Sequence, residues 1–168
     1  MKTLILVRHA KSSWSHGDLS DFDRPLNERG KKDAPEMAKR LQERSLRIDH
    51  LVSSPAKRAK KTAKYFAEEL GLKKDDIELV DELYGATPQA FATAIATIND
   101  AFKAVALFSH NPGITEFAQS LTGTRIDDMP TCAMFGVQAS VDEWTGFADA
   151  EKTFLFFDYP KLDQDFQD

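Results

Sequence analysis

One cysteine, Cys132, stands among 168 residues, so no disulfide can form within the chain and a thiolate metal site lacks its ligand set. No apolar run approaches the roughly 18 residues of a membrane-spanning helix. The first residues read as a strand rather than a secretory leader, so a cytoplasmic protein with no membrane partner is expected. Positive charge is not in excess either. The chain carries 22 basic and 27 acidic residues, a net charge of −5. Bulk attraction to nucleic acid is therefore not expected, and any anion must be held by a local cluster working against the global field. Repeats and low-complexity segments are lacking as well. With 42% apolar and 29% charged residues, the composition is that of one globular domain over 1–168 with a full core. The stretch 160–168, with three aspartates in its last six residues, reads as a loose acidic tail.

Against those absences, short apolar runs alternate with amphipathic ones. Strands are predicted over 3–7, 49–53, 77–80 and 104–108, and two more over 132–139 and 152–158. Helices are predicted up to about residue 44, over 56–70 with Gly71 as the stop, over 88–100, and from Pro112 to just before Gly123. In the first helix Asp33 and Glu36 resemble a capping pair around Pro35, so regular helix is expected to begin there. The alternation predicts a three-layer α/β/α fold with a mainly parallel sheet, helices on both faces, and an antiparallel edge from the last two strands.

Three of the predicted strands end in polar clusters. Thr3-Leu4-Ile5-Leu6-Val7 stops at Arg8-His9, the second strand at Ser53-Ser54-Pro55-Ala56-Lys57-Arg58, and the fourth at Ser109-His110-Asn111-Pro112. In open α/β sheets ligands bind at the carboxyl ends of the strands. Two of the clusters also open helices, whose free N–H groups and dipole favour an anion. Two arginines and two histidines brought together there suit a tetrahedral phosphoryl group. His16 and His50 read as surface residues, and Cys132 as a small core or strand residue. Lys57, Lys60, Lys61 and Lys64 read as a solvated helix face.

These residues resemble the histidine phosphatase, or phosphoglycerate mutase-like, superfamily. Val7-Arg8-His9-Ala10 is similar to its arginine-histidine-glycine signature, Ser53-Ser54-Pro55-x-x-Arg58-Ala59-x-x-Thr62-Ala63 to its second motif, and Ser109-His110-Asn111-Pro112 to its late histidine motif. Arg8-His9-Ala10-Lys11-Ser12-Ser13-Trp14 and Asp23-Arg24-Pro25-Leu26-x-x-Arg29-Gly30 resemble the SixA-like phosphohistidine phosphatase branch. Ala10, Lys11 and Ser15 depart from the glycine, glutamate and asparagine common in the wider family. The insertions that build a lid in the mutases have no counterpart.

The resemblance implies a hydrolase needing no cofactor and no metal. His9 would attack phosphorus and form a phosphohistidine intermediate, Arg8 and Arg58 would clamp the oxygens, and His110 would donate to them in the transition state. Ser15 is a candidate phosphate contact. Glu82, in Asp81-Glu82-Leu83-Tyr84-Gly85, is the candidate general acid, with Asp18, Asp21 and Asp23 as competitors. The expected substrate is phosphohistidine on a partner protein, such as a histidine phosphotransfer domain. The alternatives are a small phosphate ester (a sugar phosphate or nucleotide) and, in a different class, a phosphate-binding module without catalysis.

Overall fold

Lys2–Arg8 forms β1, and its apolar side chains alternate between two cores. Leu4 and Leu6 point into one cluster, Ile5 and Val7 into the other, all at zero exposure. That period of two, apolar on both faces, marks a strand covered by helices on either side. The computed structural model describes residues 1–162.

The sheet has six strands in the order β3-β2-β4-β1-β5-β6, with β2 at His50–Ser53, β3 at Glu78–Leu79, β4 at Ala104–Ser109, β5 at Met134–Ala139 and β6 at Lys152–Asp158. The β1, β2, β3 and β4 strands run parallel. β5 and β6 add the expected antiparallel edge. Helices α1 (Glu28–Glu43) and α2 (Lys57–Leu70) cover one face through Met37, Leu41 and Phe66; α3 (Pro88–Ala96) and α4 (Gly113–Leu121) cover the other through Phe91, Ile95 and Phe117. Each such buried side chain contributes about 1.5–3 kcal/mol relative to exposure.

Several local expectations need correction. Helix α1 begins at Glu28, because the Asn27 side chain caps Gly30 N–H at 2.9 Å; Pro35 lies inside the helix. The third strand shrinks to two exposed edge residues, and α3 ends at Ala96, its last turn bonding through Thr97 and Ile98 rather than continuing to residue 100. The fifth strand starts at Met134, because Cys132 adopts a left-handed backbone with φ of 62°. His50 is half-buried, not a surface residue: it stacks on Phe102 at 4.0 Å and pairs with Glu78 at 2.9 Å. At the tail, Arg40 holds the Pro160 carbonyl at 3.1 Å; 163–168 lie outside the described residues.

Candidate active site

The carboxyl ends of β1, β2 and β4 converge on one cleft of about 350 Å³. Arg8, His9, Arg58 and His110 all line it, together with Lys11, Ser12, Trp14, Asp21, Arg24, Asn111 and Thr131. The parallel register makes this convergence: Arg8 lies beside Ser109 and Ser53 beside Phe108.

Backbone bonds fix where His9 sits. Its N–H donates to the Ser109 carbonyl at 3.1 Å, and Cys132 N–H donates to the Arg8 and His9 carbonyls at 3.1 and 3.0 Å. The left-handed turn at Cys132 aims that N–H back at the strand end. Ala10 N–H donates to Thr62 Oγ1 at 3.0 Å, and Thr62 donates to the Arg58 carbonyl at 2.8 Å. One hydroxyl thus ties the His9 loop to the helix that carries Arg58. Gly30 allows the next contact, since a Cβ there would lie 2.2 Å from the Lys11 carbonyl oxygen.

The His9 ring has a defined tautomer. Nδ1 lies 2.8 Å from the Ala10 carbonyl, which can only accept, so Nδ1 carries the hydrogen and Nε2 the lone pair. Arg58 Nε donates to that lone pair at 3.3 Å. Burial, with His110, Arg58 and Arg8 nearby, pushes the imidazole down to about 3 against the raising effect of the Ala10 carbonyl. His9 is therefore neutral near pH 7, as a nucleophile must be.

His110 stands beside it, with ring centroids 5.1 Å apart. Its Nε2 meets Ser54 Oγ at 2.8 Å, and that oxygen already accepts from Ala56 N–H. That hydroxyl can also donate to Nε2, and in the tautomer so paired Nδ1 carries the hydrogen. His110 Nδ1 and Arg8 Nε are buried polar atoms with no protein partner among the described residues. Buried donors are rarely left so, and two at one cleft mark it as built for an acceptor. Burial, followed by the charge of Arg58, lowers the His110 pKa to about 3. Arg8 is held by its Nη1 bond to the Met129 carbonyl at 2.9 Å, and its pKa is lowered chiefly by burial.

The acidic candidates separate clearly. Asp21 lines the cleft: Oδ2 accepts from Tyr84 O–H at 2.6 Å and from Arg58 Nη2 at 3.0 Å, and Oδ1 accepts from Arg24 Nε at 3.1 Å. Those bonds, led by Tyr84, lower its pKa to about 2. Glu82 is exposed, in a single 3₁₀ turn at Asp81–Leu83, and is not part of the cleft wall. Asp18 and Asp23 are also exposed and absent from the wall. Ser15 is exposed and bonds Ser13 Oγ at 2.7 Å instead of facing the cleft.

Sequence reasoning passed over Arg24. It is buried, donates to Ser12 Oγ at 2.7 Å, and lies 3.5 Å under the Trp14 ring. Its signal was an arginine set between Asp23 and Pro25 in an otherwise acidic loop. The Met129 carbonyl was unreadable, because a backbone acceptor leaves no mark in side-chain chemistry. Among the described residues no three His, Cys, Asp or Glu side chains gather as a metal ligand set, and no helix is long and apolar enough to cross a membrane.

The pattern of the histidine phosphatase superfamily, branch 1, matches residues 4–104. The chain belongs to that superfamily. An uncharacterized chloroplastic protein of Arabidopsis thaliana is 29% identical over 151 residues, covering 85% of this chain and 69% of that protein. A 2,3-bisphosphoglycerate-dependent phosphoglycerate mutase of Bartonella tribocorum is 33% identical over 81 residues, 47% of this chain and 38% of the mutase. A crystal structure assigned as the phosphohistidine phosphatase SixA of Agrobacterium tumefaciens superposes with a TM-score of 0.79 at 25% identity, covering 95% of this chain and 98% of that one. The superfamily membership and the three-layer fold agree with the expectations drawn from the motifs.

Proposed function

We propose that this chain is a phosphatase in which His9 Nε2 attacks the phosphorus of a phosphohistidine borne by a partner protein. Arg8, Arg58 and Arg24 neutralise the equatorial oxygens, and His110 Nδ1–H donates to the charge that develops. The first displacement breaks the bond from phosphorus to the substrate imidazole and forms one to His9. Water then breaks the phosphorus–His9 bond and releases phosphate.

One observation carries the choice of substrate. The carboxylate in the cleft wall is Asp21, and Tyr84, Arg58 and Arg24 hold it ionised. An alkoxide leaving group requires a proton from an acid of suitable pKa, whereas an imidazole leaves a phosphoramidate more readily. The SixA likeness supports the same choice. The mutase likeness favours a second reading, hydrolysis of small phosphate esters, but it spans less than half of this chain.

Phosphate release from a histidine-phosphorylated protein, compared with a panel of sugar phosphates, nucleotides and p-nitrophenyl phosphate, decides between them. The phosphohistidine protein is expected to have the highest kcat/KM, with turnover unchanged by a chelator. A preference for one ester selects the second reading. Silence on every substrate with retained phosphate binding selects a non-catalytic module. Loss under the chelator removes the metal-free scheme.

A further inference from the structure

Beside the catalytic cleft lies a second groove, of about 510 Å³, that the chemistry above does not use. Lys57, Lys60, Lys61 and Lys64 from α2 line it with Lys31 from α1, and among the described residues Asp23 is its one acidic side chain. In a chain of net charge −5, five lysines around one groove form a local reversal of sign.

The four α2 lysines follow the spacing i, i+3, i+4, i+7 and so share one helix face. Like charges at that spacing repel. Lys57 also opens the helix and no acidic residue occupies its first turn, so these cations oppose the helix dipole. Lys57, Lys60 and Lys64 make no ion pair with any described residue that would offset the repulsion. An anionic partner would offset that repulsion.

The groove and the cleft share a wall. Asp21 and Arg24 line the cleft, whereas Phe22, Asp23 and Pro25 of the same segment line the groove; Arg58 faces the one and Lys57 the other. The rim is also apolar. Trp14 on the cleft wall, Phe22 on the groove wall and Tyr84 between them are exposed, and Phe22 packs edge-on against Tyr84 at 5.3 Å. Exposed aromatic groups gathered at a charged groove are the anatomy of a protein-docking surface.

We propose that the lysine groove docks an acidic segment of the phosphoprotein substrate and so presents its phosphohistidine to His9. This rests on the protein-substrate reading above. Charge complementarity of this kind acts mainly on association, so it enters KM and depends on salt.

Two histidine-phosphorylated peptides, identical except for flanking glutamates or alanines, test it, with phosphoimidazole as the small comparator. At about 20 mM salt the glutamate peptide is expected to show roughly tenfold higher kcat/KM through a lower KM. That preference should vanish at about 300 mM salt. It should also vanish in Lys60→Glu/Lys61→Glu/Lys64→Glu and shrink in the triple glutamine variant, with phosphoimidazole turnover unchanged in both. Equal kcat/KM for the two peptides overturns the docking role, as does an equal loss on phosphoimidazole in a variant with native circular dichroism. Fluorescence anisotropy with the unphosphorylated peptides separates the two proposals. Lysine-dependent binding of the glutamate peptide without hydrolysis of either phosphopeptide keeps the docking surface and removes the phosphatase reading. Indistinguishable binding of the two peptides removes the docking surface.

Discussion

The two edges of the sheet carry histidines in opposite surroundings. At the carboxyl edge, His9 and His110 face each other, with Arg8 and Arg58 as cationic neighbours of both and Asp21 as an acidic neighbour of His110. At the amino edge, His50 opens β2, lies flat on Phe102 and has the carboxylate of Glu78 at 2.9 Å. The cavity beside it, of about 270 Å³, mixes Asp49, Asp76 and Lys73. His9 and His110 are buried and His50 is half-buried. The neighbouring charge also differs. At the amino edge a carboxylate satisfies the imidazole and holds it in place; at the carboxyl edge burial first, and then the guanidinium groups, keep the imidazoles neutral.

Substitution of His9 breaks the contrast most severely. His9→Ala is expected to reduce phosphohistidine turnover by more than about 10³-fold, since the proposed acceptor of the phosphoryl group is lost. Denaturation during turnover of labelled substrate should trap phosphate on the wild-type chain and none on the variant. His110→Ala removes the proposed donor to the developing charge and should cost roughly 10²–10³-fold in kcat, read from steady-state rates with phosphoimidazole. Near-native turnover in either variant would erase the distinction between the two edges.

Thr62→Val removes the hydroxyl that joins Ala10 to the Arg58 carbonyl. A loss of roughly tenfold in kcat is expected, with KM for phosphoimidazole little changed, because a positioned pair is loosened rather than removed. Retention of the wild-type kcat would show that the loop is held by its strand bonds alone.

Acid should act through the carboxyl edge. The folded-state pKa values of His9 and His110 are depressed from 6.5 to about 3, so between those values the unfolded chain binds more protons than the folded one. Stability from these groups is complete above about pH 6.5 and falls as the pH descends towards 3, by at most about 1.4 kcal/mol per pH unit for each imidazole. Urea midpoints from pH 7.5 to 4.5 should fall less steeply in His9→Gln/His110→Gln than in the wild type. Equal slopes would remove the electrostatic account of the pair. His50→Ala gives the smallest expected effect. The lost stacking and pairing should lower stability by about 1 kcal/mol, read as a thermal shift of a few degrees, with phosphoimidazole turnover unchanged.

Much of this was legible in one dimension. The unbroken apolar run before Arg8-His9 reads directly as a buried strand, and the three motifs lie at strand ends in the order the fold requires. The start of α1 was misread because Asp33 and Glu36 mimic a cap, whereas Asn27 caps the helix in fact. His50 was misread because Phe102 and Glu78 come from distant segments. Glu82 was nominated from a short phrase, and the same short turn leaves it in solvent.

Local patterning by itself determined the alternation of strands and helices, the family motifs and four of the five side chains nominated for phosphate, Ser15 being the exception, since each depends on residues close in the chain. Tertiary structure alone decided which carboxylate meets the arginines, that Arg24 joins them, and that the Cys132 and Met129 backbones hold Arg8 and His9. Those outcomes depend on parallel registry and on loops meeting across the sheet, where contact is set by packing in space and leaves no spacing to read.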